Sequence, residues 1–92
     1  MPVRIISCEW DDWNVSHIGE HSVEFLEVEE VLENRPFLRK TKDGKHIAYG
    51  RTRSGRCLTV IFTYRGRSRA YPITARDSTL KEKYYAQNQK KK

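Results

Sequence analysis

The chain has 92 residues, a net charge of +6 from 18 Lys and Arg against 12 Asp and Glu, and only 37% apolar residues. A chain this short supplies one core, so these bounds fit a single small domain over residues 1–92, with 87–92 as a basic tail. They exclude a large cofactor-binding enzyme, and the basic balance points to a polyanionic partner.

The first segment, Val3-Arg4-Ile5-Ile6-Ser7-Cys8, is β-branched and apolar and reads as a strand. Asp11 or Asp12 caps a short helix that stops near Gly19. Ser22 is the expected cap of a second helix with Glu24 in its first turn, an apolar stripe of Phe25, Val28, Val31 and Leu32, and an end at Asn34 and Pro36. From Phe37 the pattern alternates, and the turn signals Asp43-Gly44, Ser54-Gly55 and Arg65-Gly66 delimit strands over about 37–41, 46–53, 57–64 and 68–75. Residues 57–64 are the most β-prone and read as a central strand, whereas Pro72 places its strand at an edge or a bulge. Thr79-x-x-Glu82 is a capping box opening a third helix, whose inner face is expected at Leu80 and Tyr84. Lysines 90–92 close the chain, either as a helix-end counter-charge or as a polar tail. The fold class is therefore α+β, an antiparallel sheet with helices on one face.

The modest net charge conceals a division. Residues 1–34 hold Arg4 against nine acids, a balance of −8. Residues 35–92 hold 17 bases against Asp43, Asp77 and Glu82, a balance of +14. Such segregation predicts an acidic helical surface and a basic sheet surface, or two halves that simply neutralise each other on folding. Cys8 and Cys57, 49 positions apart, offer no thiol-based zinc site. Neither a signal-peptide pattern nor a run of 18 apolar residues occurs in the sequence, so a cytoplasmic protein with reduced thiols is expected.

Arg51 and Arg53, and likewise Arg67 and Arg69, are two apart on strands and so share a face, with Arg76 at the end of the last strand. Their planar donor forks suit phosphate oxygens, and the interleaved Tyr49, Tyr64, Tyr71, Tyr84 and Tyr85 offer stacking surfaces for single-stranded bases. The bland alternative is a solvated basic sheet. His17 and His21 are four apart, but Gly19 intervenes and further ligands are lacking, so no metal is expected. His21 at the helix junction and His46 after a turn are proton-transfer candidates, or a carbonyl-bonded junction residue and a loop residue. Glycine-rich phosphate loops and nucleophile elbows are absent from the sequence. Cofactor-free RNA cleavage fits what remains, because the substrate's own 2′-hydroxyl is the nucleophile.

The stretch Glu9-Trp10-Asp11-x-Trp13-Asn14-x-x-His17-Ile18-x-x-His21-x-Val23 resembles the opening of the BrnT family, toxins of type II toxin–antitoxin pairs. The resemblance continues through Glu27-Val28-Glu29-Glu30-Val31, Ala48-Tyr49-Gly50-Arg51, Gly55-Arg56-x-Leu58-x-Val60, Ile73-Thr74-Ala75-Arg76-Asp77 and Thr79-x-x-Glu82-x-x-Tyr85. It implies a RelE-like, metal-independent ribonuclease. It also implies a BrnA-like antitoxin with a DNA-binding domain, the pair repressing its own operon by binding operator DNA. His21, Arg76 and Glu82 match family positions, whereas Tyr71 and Lys45 stand where arginine is common. The expected machinery is Arg51, Arg53, Arg69 and Arg76 on phosphates with Arg67 and Tyr71 beside them. Proton transfer falls to His21, His46 or Lys45, and Glu82 orients an arginine or simply closes the capping box. The competing expectation is a non-catalytic module, a degenerate toxin that binds nucleic acid or antitoxin.

Overall fold

The computed structural model describes residues 4–90; Val3 of the expected first strand and Lys91 and Lys92 of the terminal lysines lie outside them. The elements run β1 (Ser7–Cys8), α1 (Asp12–Gly19), α2 (Phe25–Glu33), β2 (Phe37–Lys40), β3 (His46–Arg51), β4 (Cys57–Tyr64), β5 (Arg69–Asp77) and α3 (Leu80–Lys90). They form one five-stranded sheet in the order β1-β5-β4-β3-β2, so the fold class is α+β. The pairing from β2 to β5 is the antiparallel meander expected from the turns. β1 adds alongside β5 in parallel, which makes the sheet mixed and covers what would otherwise be an edge.

Local chemistry explains most boundaries. Asp11 caps α1 through the Asn14 amide, and the Asn14 side chain returns the bond to the Asp11 amide. The buried Asn14 amide group also donates to the carbonyls of Glu9 and Pro72, tying α1 to β5. Ser22 does not cap α2: it lies in the turn with φ 59°, and Glu24 is the N-cap, its amide bonded by Glu27. Pro72 lies in an interior strand. The register between β4 and β5 slips there, Phe62 facing Pro72 while Ile61 faces Thr74, so the missing amide falls at a bulge.

The core lies between the sheet and the α1–α2 layer: Ile18, Val28, Val31 and Leu32 pack on Leu58, Val60, Phe62, Ala48, Ala70 and Ala75. Burying each of the larger side chains stabilises the fold by about 1.5–3 kcal/mol. Gly50 permits the close approach of α2, since a Cβ there would stand 3.0 Å from Val31 Cγ1 and 3.3 Å from Pro36 Cβ.

The helices do not all share one face. Residues opposite one another in adjacent strands point the same way, so Phe37, Tyr49, Thr59 and Arg76 form one row on the face away from α2. α3 docks there: Tyr85 meets Phe37 and Tyr49 edge-on at 5.5 and 5.9 Å. The expected inner residues of α3 are instead exposed, Leu80 at 68% and Tyr84 at 60%. The cause is Glu82, three residues before Tyr85, whose bonds to the sheet fix the rotation of the helix.

Candidate nucleic-acid interface

The face away from α1 and α2 carries two groups of cations at opposite ends of β5. Arg69 and Arg76 are seven positions apart, roughly 20 Å along a strand.

At one end Arg76 is fixed. Its Nη1 and Nη2 donate to Glu82 Oε1 and Oε2 at 2.8 and 2.7 Å. Glu82 also accepts from the Thr59 hydroxyl at 3.0 Å and the Thr79 amide at 2.8 Å, while the Glu82 amide donates to Thr79 Oγ1 at 3.2 Å. Both sequence expectations for Glu82 therefore coexist: it closes the capping box and orients an arginine. The Arg76 guanidinium first, then the Thr79 amide and Thr59 hydroxyl, outweigh partial burial and hold the Glu82 carboxyl down at about 2. Glu82 in turn raises Arg76. Beside this pair a groove of about 420 Å³ opens between the end of the sheet and α3, with Tyr49, Arg51, Cys57, Ser78, Lys83 and Tyr84 among its lining residues. Neither Arg51 nor Lys83 has a carboxylate within ion-pair distance among the described residues.

At the other end Arg65, Arg67 and Arg69 surround the β4–β5 turn. Arg65 and Arg69 stand 3.9 and 3.7 Å from Glu9. Arg65 also lies over the Tyr71 ring at 4.5 Å. The Tyr71 hydroxyl donates to Asp11 at 2.8 Å, a bond that raises its own titration. Arg67 is exposed in the turn, outside the strand pairing assumed for it. Arg53 likewise lies beyond the end of β3, and its backbone amide donates to Glu30.

The structure does not bring the proton-transfer candidates together. His46 pairs with Phe62, pointing into the α1–α2 side of the sheet, stacked on Phe62 and edge-on to Tyr64. Its Nδ1 is buried without a hydrogen-bond partner, and burial, then Lys40, depress its titration. Lys45 is engaged by Asp43 at 2.7 Å in the β2–β3 turn, lowering Asp43 to about 2. Both stand at the end remote from Arg76. His21 is exposed at the α1–α2 junction, next to Ser22, whose carbonyl accepts from Arg56 Nη1 at 3.0 Å. Arg56 continues to Glu27 at 3.0 Å and Asp77 at 2.7 Å, so His21 lies at the same end of the sheet as Arg76.

Arg56 and Lys83 were not among the expected site residues, whereas Tyr84 was expected both as a stacking ring and on the inner face of α3. Arg56 is the hub that joins α2 to the ends of β4 and β5, and its partners are 21 to 34 positions away in sequence. Lys83 was signalled only by following Glu82 in the capping box. Among the described residues no group of three His, Cys, Asp or Glu is arranged to hold a metal, and no helix is long and apolar enough to cross a membrane.

A family profile described as the ribonuclease toxin BrnT of type II toxin–antitoxin systems matches residues 10–82. The chain belongs to the BrnT family. Searches of curated proteins and of solved structures gave no match. The family assignment makes the polyanion expected from the composition RNA, and it brings an antitoxin partner with it. The matched span contains α1, α2, the whole sheet from β2 to β5 and the Glu82 anchor of α3.

Proposed function

We propose that the chain is a metal-independent endoribonuclease whose catalytic centre is the Arg76–Glu82 pair with Arg51 and Lys83 at the α3 groove. The observation carrying this reading is the bidentate bond of Arg76 to a carboxylate itself held by two further contacts, from the Thr59 hydroxyl and the Thr79 amide. A guanidinium has five donors; Glu82 takes one from each Nη and the Asp77 carbonyl accepts from Nη1 at 3.3 Å, which leaves an Nη2 N–H and the Nε–H for phosphate oxygens. Such a preorganised cation stabilises charge developing on the phosphorane as the 2′-hydroxyl attacks. Glu82, held near a pKa of 2, is a positioning residue and a poor base at neutral pH. His21 is the proton-transfer candidate, being the histidine at that end of the sheet, although it stands in the α1–α2 layer and must reach the scissile phosphate around the sheet end. Lys45, His46, Arg53, Arg67, Arg69 and Tyr71 then serve the fold or the wider electrostatic surface. A BrnA-like antitoxin with a DNA-binding domain, acting in the cytoplasm, completes the proposal.

The test is purified protein with RNA in excess chelator. Cleavage that falls about 100- to 1,000-fold in Arg76→Ala is expected; uncut RNA, or cleavage indifferent to Arg76, overturns the reading. A second reading draws on the absence of histidine from the groove lining among the described residues. A site whose charged lining is Arg51, Lys83 and the arginine-paired Glu82 suits binding without turnover, by RNA or by an acidic antitoxin segment. It predicts salt-sensitive association with RNA and no cleavage.

A further inference from the structure

We infer that the α3 groove is a nucleobase subsite in which the Tyr84 ring stacks on a base of single-stranded RNA while Arg51 and Lys83 hold its flanking phosphates. This rests on RNA being the substrate but not on catalysis. Tyr84 and its neighbour Tyr85 have different surroundings. Tyr85 is consumed by the fold, packed on Phe37 and Tyr49 and covered by Arg39 at 5.3 Å. Tyr84 has no aromatic partner among the described residues and is 60% exposed at the groove wall, with Leu80 at 68% on the same side. The groove of about 420 Å³ falls in the range of small-ligand sites. Its lining combines an apolar surface with Arg51 and Lys83, neither in an ion pair among the described residues, with Glu82 already engaged by Arg76, and with the polar ends of Ser78 and Gln87. Aromatic face, cation and polar edge are the three contacts a splayed-out nucleotide requires. Because Glu82 fixes α3 by its other face, the stacking ring is held without help from Tyr84 itself, so replacing Tyr84 leaves the fold intact.

The test titrates the full chain with a short 2′-O-methyl RNA, which cannot be cleaved, and with an abasic version of the same backbone. Tyr84→Ala should weaken binding of the first about 5- to 150-fold. Tyr84→Phe should bind as wild type, and Tyr84→Ala should leave affinity for the abasic probe unchanged. Wild-type affinity in Tyr84→Ala, equal loss in Tyr84→Phe, or equal loss on the abasic probe overturns the subsite. Since the probe resists cleavage, a chain without ribonuclease activity still reports on the groove, and the two proposals fail separately.

Discussion

The two ends of the open sheet face hold similar numbers of cations but use them differently. At the β4–β5 turn, Arg65 and Arg69 lean on Glu9 at 3.7–3.9 Å and Tyr71 reaches Asp11, all at the surface. At the α3 end, Arg76 is clamped at 2.7–2.8 Å by a carboxylate that also caps a helix, and Arg51 and Lys83 line an open groove without carboxylate partners among the described residues. Glu9 thus engages Arg65 and Arg69 at one end, while at the other end Glu27 of α2 engages Arg56 and leaves Arg51 and Lys83 without an ion pair among the described residues. Arginine density in the sequence marks a surface; the pairing of each arginine determines whether it is available to a ligand.

The sharpest way to break this comparison is to remove one arginine from each end. Arg76→Ala is expected to lower kcat/KM on RNA about 100- to 1,000-fold, while Arg69→Ala changes it only as a distant surface charge would. Equal losses would merge the two ends into one extended clamp. Next in size, Glu82→Gln should destabilise the fold by about 1–2 kcal/mol, because it weakens a cap and a charge-assisted pair together. The pH dependence has a definite sign. The Glu82 carboxyl lies at about 2 when folded against 4.5 as its ordinary value, so its contribution is complete above pH 4.5 and disappears as pH falls towards 2. Denaturant melts at pH 7 and pH 3 should show a smaller acid loss in Glu82→Gln than in the wild type.

His46 sharpens the contrast from the other side of the sheet. Its titration is depressed from 6.5, so the unfolded chain binds the proton first and stability falls as pH drops below 6.5. His46→Phe, which removes the buried unpaired Nδ1, should flatten that slope between pH 7.5 and 5.5 in thermal melts and stabilise by up to about 1–2 kcal/mol. The smallest effect is expected at the turn: Arg65→Ala, losing a long exposed ion pair and a ring contact, should cost less than about 1 kcal/mol. A larger cost in chemical denaturation would show the β4–β5 end to be structurally tighter than its distances imply.

Much of the fold was legible because it rests on local rules. The Asp11 cap, the Asn34 stop, the turns at Gly44, Gly55 and Gly66 with their positive φ, and the Thr79–Glu82 box all appear where residue chemistry demands them. The errors share a cause in contacts remote along the chain. Ser22 lost the cap to Glu24 because Glu27 completes a box there. Leu80 and Tyr84 turned outward because Arg76, on β5, rotates α3 through Glu82. Alternation put His46 on a strand, but only the register with Phe62 shows which face it takes.

By itself, the sequence determined the α+β class, the central strand, the division of charge between an acidic first third and a basic remainder, and the membership of a toxin family. These depend on composition, periodicity and motif order, which are properties of neighbours along the chain. Only the tertiary structure decided which arginines are satisfied and which are free, that α3 lies opposite α1 and α2, and that Tyr84 rather than Tyr85 faces the groove. Each of these depends on distances between groups far apart in sequence, such as Glu9 with Arg69 or Thr59 with Glu82. Electrostatic and hydrogen-bonding energies follow separation in space.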